Sequence, residues 1–185
     1  MQNETRTVCF DSDLNIEAYN FKGIMQKFPN HFHEYYVIGF IESGNRYLSC
    51  KNKEYTVKTG DLTLFNPHDN HNCKQVDGGT LDYRCINIEP AVMKKVAYEI
   101  TGKDYLPYFT ETVLFSSDLL SSLSELHHMI MHEEKDFKKE EILLLIIEQL
   151  IAEYDHAGAA LTTQPPNTEI KAVCDFLENN YMKSI

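Results

Sequence analysis

With 185 residues, 43% of them hydrophobic, the chain suffices for one domain with a genuine core, or one domain and the start of another, and disorder is excluded as its default state. A formal net charge of -11 and a pI near 5.1 argue against gripping a phosphate backbone unaided and favour a small ligand or a protein partner. The five cysteines are odd in number and form no CxxC pair, so they read as reduced thiols of a cytoplasmic protein.

The start of the chain has no apolar h-region, and the longest apolar run, 142–147, is far too short to span a bilayer, so no membrane partner is expected. His31 and His33 stand one residue apart on an extended segment and project to the same face. Tyr35 to Ile41 is apolar on both faces, as in a central strand buried between layers. Gly44-Asn45 turns the chain into a strand from Arg46 to Cys50, and Lys51-Asn52-Lys53 turns it into Glu54 to Lys58. Gly60-Asp61 is a further turn, followed by Leu62 to Asn66; Pro67 interrupts the ladder before a strand from His71 to Val76. That order places His71 where it can converge on His31 and His33. Gly78-Gly79 leads into Thr80 to Ile88. Short strands with turns every eight to twelve residues indicate a sandwich or barrel, not alternating strands and helices.

At Glu89-Pro90 the period changes. Pro90 opens a short helix carrying Val92, Val96 and Tyr98, and Gly102 closes it. Ser116-Ser117-Asp118 caps a helix whose Leu119, Leu123, Leu126 and Ile130 recur at four-three-four spacing. Asp136 caps the next, from Phe137 to about Asp155. Its apolar arc is so wide that two sides must be covered, one by the preceding helix together with a second subunit. Leu143, Ile147, Leu150, Ile151 and Tyr154 are the expected homodimer face. Residues 157–167 contain Gly158 and Pro165-Pro166 without an apolar period and read as a linker. Thr168 starts an amphipathic helix with Ile170, Val173, Phe176 and Leu177, which reads as the opening of a truncated second domain.

Taken together, the run from His31 to Gly44, the Gly60-Asp61…Asn66-Pro67…His71 segment, Pro90 opening a helix, the later helix pair and the stretch from Ile170 to Tyr181 resemble the AraC family of bacterial transcription regulators. The resemblance implies a mainly β fold with α, namely an antiparallel cupin or jelly-roll-like barrel followed by an α-helical hairpin and one trailing helix. It divides the chain into an N-terminal arm (1–20), an effector-binding barrel (21–89), a helical dimerisation segment (90–156), a linker (157–167) and the first helix of a helix-turn-helix domain (168–185). The implied partners are a small-molecule effector, a second copy of the chain, and DNA through the absent C-terminal domain. Phe10 and Leu14 are the apolar contacts expected of an arm folded over the pocket.

The expected ligand pocket comprises His31, His33, His71, Cys73, Tyr83 and Cys85; no catalytic residue and no cofactor is expected. Neutral imidazoles suit Zn, Fe, Ni or Cu. Metal-binding cupins, however, usually add a carboxylate a few residues beyond the first histidine pair, and Val37 stands on that face here. A metal-free polar wall is therefore the favoured reading, and a metal-dependent cupin enzyme, a dioxygenase or isomerase using His31, His33 and His71, is the alternative. Tyr83 and Cys85 have two open readings, pocket wall or filler of a collapsed barrel. Arg46 reads as a solvated strand arginine rather than an anchor for an anionic effector. His128 and His132, four apart on a helix beside Glu133 and Glu134, read as a solvated face.

Overall fold

A strand that is apolar on both faces has to be covered twice, and the strand from Tyr36 to Ser43 meets that requirement. Tyr36, Ile38 and Phe40 belong to one buried cluster and Val37 and Ile41 to another. The first cluster lies under helices and the second faces another sheet.

The computed structural model describes residues 4–155. The linker and trailing helix expected over 157–167 and 168–185 lie outside the described residues. In chain order the strands are β1 (Thr5–Asp11), β2 (Ile16–Ile24), β3 (Phe28–His31), β4 (Tyr36–Ser43), β5 (Asn45–Cys50), β6 (Lys53–Lys58), β7 (Leu62–Phe65), β8 (His71–Gln75) and β9 (Leu81–Ile88). There follow α1 (Pro90–Thr101), β10 (Val113–Leu114), α2 (Leu119–Met131) and α3 (Lys138–Tyr154). One sheet has the order β1-β2-β9-β4-β7-β10 and the other β3-β8-β5-β6, all pairs antiparallel. The fold is mainly β with α, a double-stranded β-helix barrel with three helices on the outside of its larger sheet.

The local signals sit where the chain needs them. Pro90 opens α1, and Gly102, at φ 69°, closes it by donating its N–H to the Tyr98 carbonyl at 2.8 Å. Ser117 Oγ accepts the Leu119 N–H and Asp136 Oδ1 accepts the Lys138 N–H, which steadies the first turns of α2 and α3. Gly44 sits at φ 91°, and a Cβ there would lie 2.1 Å from the Thr80 carbonyl oxygen, so only glycine passes.

Two expectations are corrected by the packing. The described part of the segment expected as an arm is an integral hairpin: β1 pairs with β2 along its whole length, and β2 pairs with β9. Phe10 is exposed and Leu14 packs against the helical cluster, so neither closes the pocket. Asp11 bends the hairpin by accepting the N–H groups of Asp13 and Leu14, and the buried Lys139 of α3 donates to the same carboxylate. The second correction concerns the dimer face. Leu143, Ile147 and Leu150 are 2% exposed or less, because α3 lies on α1 and α2 and its wide arc is covered within the chain. Only Ile151 and Tyr154 of that set keep accessible surface.

Candidate ligand cavity

Register brings the histidines together. His31 and His71 are direct partners in the β3–β8 ladder, and His33 follows just beyond the end of β3. One ring nitrogen from each of the three lies within 4.8 Å of the others. The ring centroids of His31 and His71 are 4.3 Å apart, and His71 is stacked on Phe65 at 3.9 Å.

The turn that delivers His71 is built from its own side chains. Asn66 donates its backbone N–H and its Nδ2 to Asp69 Oδ2, each at 2.9 Å. The same amide spans to a distant loop, donating to the Phe109 carbonyl at 2.9 Å and accepting the Phe109 N–H at 2.8 Å. Lys51 closes the cluster with an ion pair to Asp69 at 2.9 Å. The main-chain carbonyl of Asp69 then accepts a hydrogen bond from His71 Nδ1 at 2.8 Å. His31 does the same with the Pro29 carbonyl at 2.7 Å. A carbonyl can only accept, so both Nδ1 atoms carry a proton that is directed at the main chain. Burial lowers the His71 pKa to about 4 and, with the charge of His31 as a second cause, holds His33 below the ordinary range. Both are neutral at pH 7.

Between the sheets lies a cavity of about 290 Å³. Its walls include Tyr19, Phe21, Phe28, Tyr35, Phe65 and Tyr83, so its body is aromatic. The three histidines, Thr63 and Asn87 add polar points, and Arg6 lines it with an exposed guanidinium at the rim that is paired with Glu4 at 2.7 Å. No carboxylate is among the described residues that line it. In a chain with 28 acidic residues, such a wall suits a neutral or anionic guest. Arg6 lies 5.9 Å from the ring centroids of both Phe21 and Phe28, within cation–π range.

Every residue expected in the pocket lines this cavity: His31, His33, His71, Cys73, Tyr83 and Cys85. Tyr83 shares a 2.8 Å hydrogen bond with Thr63, and its ring lies over Gly39, where a Cβ would fall 2.0 Å from the phenol oxygen. The thiols are unreactive by environment, since burial pushes Cys73 up to about 11 and Cys85 up to about 12. Arg46 is corrected on both readings: it is fully buried, does not line the cavity, and donates to the carbonyls of Asn45, Gly79 and Ile24. His128 and His132 are neighbours on the surface of α2, at 4.0 Å between ring centroids. Among the lining residues that sequence reading missed are Phe28, Tyr35, Thr63, Phe65 and Asn87, and, on the first hairpin, Arg6, Tyr19 and Phe21. The available signal was the alternation in Ile16-Glu17-Ala18-Tyr19-Asn20-Phe21, whose two apolar sets face opposite sides of the sheet.

Residues 13–151 match the family described as AraC-like ligand binding domain. Over all 185 residues the chain is 55% identical to an uncharacterized HTH-type transcriptional regulator, YbfI, of Bacillus subtilis (strain 168), and the match spans 67% of that protein. Among solved structures, a cupin 2 conserved barrel domain protein from Rhodopseudomonas palustris is similar with a TM-score of 0.42 and 21% identity, over 47% of this chain and 61% of that one. An RmlC-like cupin with a double-stranded β-helix fold from Methanocaldococcus jannaschii has a TM-score of 0.40 and 13% identity, over 48% and 84% of the two chains. Among the described residues no helix is long and apolar enough to cross a membrane.

Proposed function

This chain belongs to the AraC-like ligand-binding domain family, and from that premise we propose that it is the effector-sensing part of a transcription regulator. A small organic molecule enters the barrel and favours one arrangement of barrel and helices over another. That difference in affinity biases a DNA-binding domain carried beyond the linker, in a homodimer. The observation that carries this reading is the aromatic, carboxylate-free cavity between the two sheets. About 290 Å³ is at the small end of ligand pockets, which run from about 300 Å³ upward, and it suits a metabolite rather than a peptide. The lining carries no carboxylate, and the rim guanidinium of Arg6, paired with Glu4 at 2.7 Å, can exchange that partner for the acid group of a guest with an apolar body.

The experiment is a thermal-shift screen of the chain against small aromatic and aliphatic carboxylic acids, repeated on Tyr83→Ala. A true effector raises Tm in the wild type and loses at least tenfold in affinity in the variant, about 1.4 kcal/mol. A compound whose shift is unchanged in Tyr83→Ala places the effector outside the cavity and sinks the assignment. The enzyme alternative shares the same histidines but adds the demand that a bound compound be chemically converted. Recovery of every hit unchanged after prolonged incubation favours the sensor.

A further inference from the structure

His71 is held by two independent constraints. Its Nδ1 donates to the Asp69 carbonyl at 2.8 Å, and its ring lies flat on Phe65, with 3.9 Å between centroids and 7° between planes. That carbonyl belongs to the Asn66–Asp69 turn, which the Asn66 amide ties to Phe109 as donor and as acceptor. Tautomer and ring plane are both set. A neutral imidazole protonated on Nδ1 offers only an acceptor at Nε2, and among the described residues no hydrogen-bond partner reaches that atom. His71 is 5% exposed and lines the cavity. An acceptor placed so deep needs a donor from the guest once water leaves. The Thr63 and Tyr83 hydroxyls on the same wall already share a 2.8 Å bond with each other. With no carboxylate in the lining, a neutral hydroxyl suits the place better than an ammonium group.

Arg6 stands at the rim, its guanidinium 5.9 Å from the ring centroids of Phe21 and Phe28. Strand register gives the distance between the two polar ends. Phe28 pairs with Cys73 and His31 with His71, so Phe28 and His71 lie two residues apart along β8 and three along β3, about 7–10 Å at about 3.3 Å per residue. A six-membered ring with an acid group and a hydroxyl at opposite ends spans that gap, given a hydrogen bond of about 3 Å at each end. We infer that the effector is a single-ring hydroxy acid, seated with its acid group on Arg6 and its hydroxyl donating to His71 Nε2 at the other end of the cavity. This deepens the sensor reading and rests on it: Arg6 gives up Glu4 for the guest, and His71 supplies a discrimination among acids that Arg6 alone cannot. A site that hydrogen-bonds a hydroxyl rejects the analogue lacking it, because its own buried polar group is then left unpaired.

The test is calorimetric titration of the tag-free chain, in buffer containing a chelator, with 4-hydroxybenzoate and with 4-methylbenzoate, whose methyl group fills the space of the hydroxyl without its proton. The hydroxy acid should bind at least tenfold more tightly. In His71→Phe, which keeps the stack on Phe65, the two acids should bind alike. In Arg6→Gln both should weaken by a similar factor, with their ratio kept. If His71→Phe does not fold, ¹⁵N spectra of the histidine-labelled wild type decide. His71 Nε2 should be unprotonated in the free chain and should shift with 4-hydroxybenzoate but not with 4-methylbenzoate. Equal affinity for the two acids in the wild type, or a preference kept in folded His71→Phe, overturns the role of His71 and leaves the sensor standing. Binding of neither acid, while another compound of the screen raises Tm in the wild type and not in Tyr83→Ala, overturns the hydroxy-acid class and spares the sensor.

Discussion

Side chains on neighbouring strands meet diagonally as well as directly, and the Tyr83–Gly39 contact is the clearest case. Tyr83 pairs with Ile41 and Cys85 with Gly39 across β9 and β4, so the Tyr83 ring leans over the next residue pair. It fits because Gly39 has no Cβ. Gly39→Ala should therefore cost about 1–3 kcal/mol, the usual range for overpacking a filled interior, and should swing the phenol away from Thr63. Urea denaturation measures the first effect, and loss of carboxylic-acid binding in the thermal-shift assay measures the second. A variant with wild-type midpoint and wild-type binding would mean that the ring is not seated there. Tyr83 was legible in the sequence, because Leu81, Tyr83, Cys85 and Asn87 alternate along one strand. Gly39 was not, since its role comes from a neighbour 44 positions away in sequence that only the sheet register brings close.

Among the elements, the turn from Asn66 to Asp69 carries the heaviest duty. Asn66 is 2% exposed, and its side chain serves Asp69, the Phe109 carbonyl and the Phe109 N–H together. Removing the amide leaves the buried Phe109 N–H unpaired and the Phe109 carbonyl with only its 3.3 Å bond from Lys51, and a buried unsatisfied group costs about 1–3 kcal/mol. Asn66→Ala should accordingly lose about 1–3 kcal/mol in chemical denaturation. Asn66→Asp keeps the shape but turns a donor that faces two acceptors into another acceptor, so it should fare no better. If Asn66→Asp matches the wild type, the amide bonds to Asp69 and Phe109 contribute nothing. The turn itself was legible from Asn66-Pro67 and the strand that follows. Its anchorage to Phe109 was not, because nothing in a loop residue's type announces a partner 43 positions earlier. The same limit explains the first hairpin. The paired β1 and β2 have no glycine-rich turn between them; Asn15, at φ 56°, makes the bend instead, so two strands read as a loose arm.

Across the whole molecule, three layers stand in series: helices, the larger sheet, and the cavity with the smaller sheet behind it. Apolar periodicity made the layers readable, yet it could not divide α3 between its own chain and a partner, because burial by either leaves the same pattern in sequence. Leu143 and Ile147 look like interface residues for that reason and turn out to be core. One polar contact crosses from the helices to the cavity wall. His127 of α2 donates from Nε2 to the Tyr19 carbonyl at 2.9 Å, its ring set edge-on to Phe40, while the ring of Tyr19 lines the cavity. Its Nδ1 is buried without a partner, so a second proton there would have nowhere to bond. Burial holds the His127 pKa below its ordinary value despite the favourable Tyr19 carbonyl. The unfolded chain takes up this proton near pH 6.5 and the folded chain only at lower pH. Stability from His127 is thus complete above about pH 6.5 and drains away as pH falls toward the folded value. His33 and His71, also depressed, act in the same direction. His127→Gln keeps a donor for the Tyr19 carbonyl and removes the titration, so the drop in urea midpoint between pH 7.5 and pH 5.5 should shrink without vanishing. An undiminished drop would assign the acid sensitivity to the cavity histidines alone and leave the α2–β2 contact as packing.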